Sequence, residues 1–128
     1  MDILKTFTDK RGSLTLAESG NEIPFQITRA YWIHDVPEGE ERGMHANKIS
    51  YQYLVAVNGS VEITLEDING IKTYTLDSKD KGLLVPPRTW NELRNFSHDA
   101  VLLVLASHSY DETTYINSHE EFLQYIGK

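Results

Sequence analysis

The sequence predicts an all-β chain, a double-sheet β-roll (jelly-roll) or barrel with one short C-terminal helix. Three observations lead there. Short segments rich in β-branched and aromatic residues recur along the chain, some alternating apolar with polar. Turn signals, two of them Asn-Gly, fall between these segments at regular spacing. Helical 3/4 spacing of apolar residues appears only at the C-terminus.

Taken in order, "FQITRAYWIHDV" (Phe25–Val36) is rich in β-branched and aromatic residues and reads as a strand. "YQYLVAV" (Tyr51–Val57) reads as another. It is joined to "VEITLE" (Val61–Glu66) through Asn58-Gly59, a strong hairpin signal because both residues tolerate positive φ. In "VEITLE", Val61, Ile63 and Leu65 share one face. A second Asn-Gly, Asn69-Gly70, leads into "IKTYTLD". "GLLVP" (Gly82–Pro86), a Pro-Pro turn and "WNELRNF" (Trp90–Phe96) follow. "AVLLVLAS" (Ala100–Ser107) is continuously apolar, which suits a strand buried on both faces. Finally "NSHEEFLQYIGK" offers Ser118 as N-cap with Glu121 three residues on. Phe122, Leu123 and Ile126 make its apolar stripe, and Gly127 its stop.

At 128 residues, one domain spanning 1–128 is expected, burying roughly two-thirds of its unfolded surface. There are no cysteines, so disulfides and thiolate metal sites are excluded. "MDILKTF" lacks a basic stretch followed by an apolar one, and no apolar run approaches the ~20 residues needed to span a bilayer. A cytoplasmic protein without membrane partners is therefore expected. Lys plus Arg is 12 against 19 Asp plus Glu, a net charge of −7. That argues against a broad nucleic-acid surface. It leaves room for a small phosphorylated ligand held by a few converging arginines.

Of the five histidines, His34, His98, His108 and His119 fall at strand ends, in a turn, or in the first helical turn, where His119 is expected to be solvated. His45 stands apart, between Arg42-Gly43 and an apolar strand, with Gln52 seven residues on. In a double-sheet roll this is where a metal-binding cupin carries H-x-H, a Glu, and a further His beyond a Pro-rich turn. Here those places hold His45, Asn47, Gln52 and Asn91. One imidazole with three neutral amides is a poor set of donors for a divalent transition metal. The residues therefore argue for a metal-free, cupin-like pocket with no cofactor.

Six segments in order, "DKRGSLTLAE", "IPFQITRAYWI", "ERGMHANK", "GLLVPPRTWNEL", "FSHDAVLLVLAS" and "YDETTYI", carry a resemblance over nearly the whole chain. The chain resembles the sugar 3,4-ketoisomerases that act on dTDP-4-keto-6-deoxyglucose, a metal-independent cupin group related to the WxcM-like proteins. The resemblance implies a homodimeric β-roll and a dTDP-linked 4-keto-6-deoxy sugar as partner. It also implies transfer of the ketone from C4 to C3 in deoxysugar biosynthesis.

A base near neutrality must remove the C3 hydrogen, which histidine suits with an unperturbed pKa of about 6.5. The resemblance places His45 at the reacting carbons, with Asn47 where relatives carry a second histidine. It places Arg29 and Arg42 toward the nucleotide, where bidentate contacts to a diphosphate are available. Arg11 falls near the sugar, and Asn91 stands where relatives often have a further histidine. Tyr31 is a candidate pocket wall or proton relay, Gln52 a polar support inside the roll, and Trp90 core. With Asn at 47 and 91, three readings stay open. His45 transfers the proton alone; or the pocket is a nucleotide-sugar binding module without turnover; or the chain is a related nucleotide-sugar epimerase.

Overall fold

In the computed structural model, which describes residues 1–128, the chain forms twelve strands, one 3-10 turn (Glu112–Thr114) and one helix. The strands are β1 (Asp2–Ile3), β2 (Lys5–Asp9), β3 (Gly12–Leu16), β4 (Arg29–His34), β5 (Arg42–Asn47) and β6 (Gln52–Asn58). They continue as β7 (Val61–Asp67), β8 (Gly70–Leu76), β9 (Lys81–Val85), β10 (Trp90–Arg94), β11 (Val101–Ala106) and β12 (Tyr115–Ile116), before α1 (His119–Ile126). One sheet has the order β1-β9-β6-β11-β4 and the other β12-β5-β10-β7-β8. All pairings within them are antiparallel. The double-sheet roll and the C-terminal helix are as the sequence predicts.

From β4 to β7, every connection crosses from one sheet to the other. This corrects one expectation. Asn69-Gly70 closes a hairpin, with Asp67 opposite Gly70, but Asn58-Gly59 does not: β6 pairs with β9 and β11, and β7 with β8 and β10. Gly59 still needs its positive φ of 65°. Its corner is tied to the loop at 97–99, where Asn58 Nδ2 donates to the Asp99 carbonyl and the Ser60 amide to Ser97 Oγ. A turn-forming dipeptide dictates a reversal of direction, and the partner strand is chosen by the core.

That core lies between the sheets. Leu54, Ala56, Val61, Ile63, Leu76, Leu83, Val85, Leu93, Leu102 and Val104 form one buried cluster, with Leu65 packed against it. The strand buried on both faces is β6, whose residues Gln52–Ala56 are all buried. In β11, by contrast, buried residues alternate with half-buried ones. The segment before β4 is not strand: Phe25 and Ile27 pack instead against Leu4, Ile23, Tyr53 and Val55, capping the outer face of β6. On the far side, α1 lays Phe122 and Ile126 against Ala46, Trp90 and Ile116. Ser118 caps it by accepting from the Glu121 amide at 3.3 Å, and Gly127 ends it at φ 88°.

One feature lay outside the sequence reading, and one expectation is amended. Strands β2 and β3 form a separate hairpin that exposes Phe7 and Leu14. His119 is not simply solvated: its Nε2 lies 2.6 Å from Glu66 Oε1, and its ring meets Trp90 edge-on.

Candidate active site

The site begins with a local irregularity in β5. In a regular strand, residues 42 and 45 would point to opposite faces. Between them the register shifts: Asn91 of β10 faces His45, and Glu92 faces Gly43, so Met44 is an extra residue. Gly43 and Met44 both take positive φ, 81° and 59°. Such a bulge re-aims the side chains around it. Here it brings Arg42 and His45 to the same cavity and leaves Met44 packed against the cluster that α1 forms with Ala46, Trp90 and Ile116.

The cavity, about 360 Å³, opens at one end of the roll between the sheets. That lies within the roughly 300–1,000 Å³ usual for small-molecule sites. From the first sheet come Arg29 and Tyr31 (β4) and Gln52 (β6); from the second, Arg42 and His45 (β5) and Asn91 (β10). Six of the eight residues singled out from the sequence therefore converge. No carboxylate lines the cavity.

His45 Nδ1 lies 3.1 Å from the Gly43 carbonyl. A carbonyl only accepts, so Nδ1 carries the proton and Nε2 is the free basic nitrogen. Burial pushes the imidazole below its ordinary pKa; the Gly43 hydrogen bond opposes this and the charge of Arg29 adds to it. His45 is thereby held neutral, as a base requires. Burial raises the Tyr31 phenol, against the nearby charge of Arg29, so its hydroxyl stays protonated near neutrality. That hydroxyl accepts from Gln52 Nε2 at 3.1 Å and keeps its own proton to donate. Asn91 Nδ2 donates to the His45 carbonyl at 3.1 Å, tying β10 to the bulge.

Arg29 is held without an acid. Its guanidinium lies over the rings of Tyr31 (4.9 Å) and Tyr110 (5.7 Å), and Nη2 donates to the Tyr115 hydroxyl at 3.3 Å. Its Nε is buried with no hydrogen-bond partner. Neither Arg29 nor Arg42 takes part in an ion pair. A half-buried cation without a counter-charge is costly unless a ligand supplies one.

Two expected site residues lie elsewhere. Asn47 does not line the cavity: it is only 4% exposed, at the β5–β12 seam opposite Tyr115. Its Oδ1 is buried without a partner. Arg11 stands at the tip of the β2–β3 hairpin, its side chain 83% exposed and paired with Asp9 at 2.7 Å. It does not reach the cavity of its own chain. Conversely, Tyr110 and Tyr115 line the cavity and were not assigned from the sequence. The available signal was a pair of tyrosines in the polar stretch "SYDETTYI" after the last long strand.

Together these features define a cupin-like β-roll whose cavity presents one neutral imidazole, three tyrosines and two guanidiniums without a counter-charge. The chain belongs to the family described as "FdtA: WxcM-like, C-terminal", whose model matches residues 1–127. It is 48% identical over 124 residues to a TDP-4-oxo-6-deoxy-α-D-glucose-3,4-oxoisomerase of Aneurinibacillus thermoaerophilus, covering 97% of this chain and 89% of that one. Among solved structures, a 3,4-ketoisomerase from Helicobacter canadensis matches with a TM-score of 0.94 at 41% identity, covering 98% of this chain and 95% of the other. QdtA, a sugar 3,4-ketoisomerase from Thermoanaerobacterium thermosaccharolyticum solved in complex with TDP, matches with a TM-score of 0.93 at 38% identity, covering 98% and 91%.

Proposed function

We propose that this protein is a 3,4-ketoisomerase of a TDP-linked 4-keto-6-deoxyhexose. The observation that carries the reading is the pairing, in one cavity, of an acid-free Arg29 with a His45 whose Nε2 is unprotonated. The first suits a diphosphate and the second a carbon acid. Relatives named for this activity at 38–48% identity support it.

In this mechanism, Nε2 of His45 takes the proton from C3, which is acidic because it lies α to the C4 ketone. The C–H electrons form the C3–C4 double bond, and the C4 carbonyl oxygen becomes the hydroxyl of an enediol or its anion. The Tyr31 hydroxyl donates toward that oxygen. As the carbonyl forms at C3, the proton of the C3 hydroxyl passes by way of the Tyr31 hydroxyl to the adjacent C4 oxygen, and the His45 imidazolium returns its proton to C4. No redox partner is needed. Arg29 and Arg42 hold the diphosphate, Gln52 orients Tyr31, and Asn91 supports the bulge. Asn47 supports the β5–β12 seam behind the site. A lone imidazole without a carboxylate favours this metal-free chemistry over a divalent-ion site.

The proposed active form is a homodimer in the cytoplasm. Trp32 on the edge strand β4 is 60% exposed, and Phe7 and Leu14 on the free hairpin are 53% and 58% exposed. A second copy is the proposed cover for this apolar surface, with the hairpin as the route by which Arg11 approaches a partner's cavity. No helix is long and apolar enough to cross a membrane. Light scattering checks the assembly: a monomer at micromolar concentration would refute it.

Incubation with TDP-4-keto-6-deoxyglucose in D2O, followed by proton NMR, tests the activity. Deuterium exchange at C3 with formation of a 3-keto sugar is expected. Tight binding without exchange would sink the reading and leave a nucleotide-sugar binding module.

A further inference from the structure

We propose that Tyr115 is a positioning residue for His45: its ring covers one face of the imidazole and fixes its plane, while its hydroxyl joins that ring to Arg29. The two rings are 5.0 Å apart between centroids and only 10° from parallel. The Tyr115 hydroxyl accepts from Arg29 Nη2 at 3.3 Å. One phenol therefore touches both the group assigned to proton transfer and the group assigned to the diphosphate.

The backbone makes this placement firm. Tyr115 sits on β12, where it pairs with Asn47, and the next residue, Ile116, pairs with Ala46 and is buried against Trp90 and Phe122. Asp111 braces the approach by accepting from the Thr113 amide and hydroxyl. Tyr110 packs edge-on against Tyr115 at 5.9 Å. The C-terminal segment is thus a strap anchored by α1, and Tyr115 is the point where it meets the imidazole.

Few charged groups face His45. They are Arg29 and the phenol of Tyr31 on β4, Arg42 on its own strand, and the phenols of Tyr110 and Tyr115 on the strap; carboxylates are missing from this shell. With no acid to orient it, His45 is fixed by the Gly43 carbonyl at Nδ1 and by Tyr115 on its face. The ring also excludes water. Since burial is the largest cause of the lowered His45 pKa, uncovering one face must return it toward the ordinary value.

The inference rests on His45 being the base, yet its test does not need turnover. The titration of His45 is followed by NMR of ring-labelled histidine, its signal assigned as the one missing from His45→Gln. In Tyr115→Ala the midpoint is expected to move up toward about 6.5. In Tyr115→Phe, which keeps the ring, it is expected to stay with the parent while TDP binding weakens about threefold, as loss of one hydrogen bond allows. An unmoved midpoint in Tyr115→Ala overturns the proposal, as does an equal movement in Tyr115→Phe. Should the alanine variant not fold, the parent decides: a stacked tyrosine shifts the His45 ring protons upfield, and their absence from the upfield region refutes the stacking. If substrate turns over, Tyr115→Ala is expected to lose at least about tenfold in kcat with its acid limb moved to higher pH. Absence of turnover in the parent, with the titration as expected, would reject the isomerase reading and leave the positioning role standing.

Discussion

Gly43 and Asn91 stand so close across the β5–β10 pair that a Cβ on Gly43 would lie 2.4 Å from Asn91 Oδ1 and 3.1 Å from the Asn91 carbonyl. The contact sits in the bulge that turns Arg42 and His45 toward the same cavity. Gly43 is also at φ 81°, which side chains resist. Gly43→Ala is therefore expected to lower stability by about 1–3 kcal/mol. Because the bulge aims His45, turnover is expected to fall more than the thermal midpoint implies. Thermal melts together with kcat at 25 °C check this, and a fully active, fully stable variant would contradict it.

His45→Gln keeps the polar character of the position and removes the proposed base. A loss of about 10²–10⁴ in kcat is expected, the usual span for general-base removal. TDP affinity should stay within about threefold, because the amide preserves cavity volume and the diphosphate is held elsewhere. Calorimetric titration with TDP beside the D2O exchange assay separates the two quantities.

Arg29→Met retains the stem that packs on Tyr31 and Tyr110 but deletes the charge. TDP binding is expected to weaken by about 1.5–3 kcal/mol, the range for hydrogen bonds to charged groups. Thymidine alone, lacking the diphosphate, should bind parent and variant alike. If TDP affinity were unchanged, Arg29 would have no part in holding it.

The depressed His45 pKa has a definite sign in pH dependence. Its neutral form survives below the usual histidine value of about 6.5, so kcat/KM should hold down to that pH and fall only below it. The same shift makes the folded state bind fewer protons than the unfolded chain. Its stability contribution is full above about pH 6.5 and is lost as pH falls through the folded value. The difference in thermal midpoint between parent and His45→Gln should therefore depend on pH below about 6.5 and flatten above.

Phe122 is fully buried where α1 meets Trp90 and Ile116. Phe122→Ala is expected to cost about 3–5 kcal/mol. Since α1 anchors the strap, activity should fall as well, and chemical denaturation with the exchange assay would show both.

Local pattern made much of this readable. The alternation in Val61–Glu66, the hairpin at Asn69-Gly70 and the Ser118-to-Gly127 helix each follow from side-chain period or capping chemistry confined to a few residues. Arg29 and Gln52 were legible because a polar group in an apolar strand must be satisfied somewhere, and both face one cavity with Tyr31 and His45; Arg42 and Asn91 were reached through the family resemblance. The partner of β6 was not legible at Asn58-Gly59, since a turn says nothing about which sheet receives the next strand.

The sequence by itself determined the all-β class and the C-terminal helix, because these depend on local period and capping chemistry, while its resemblance to a known family pointed to most of the side chains that line the cavity. Only the tertiary structure decided how they are aimed. The bulge at Met44 put Arg42 and His45 on one side, the β5–β12 pairing buried Asn47 away from the cavity, and the strap set Tyr115 on the imidazole. Each of these is a contact between segments far apart in the chain, fixed by long-range register and packing that no local window contains.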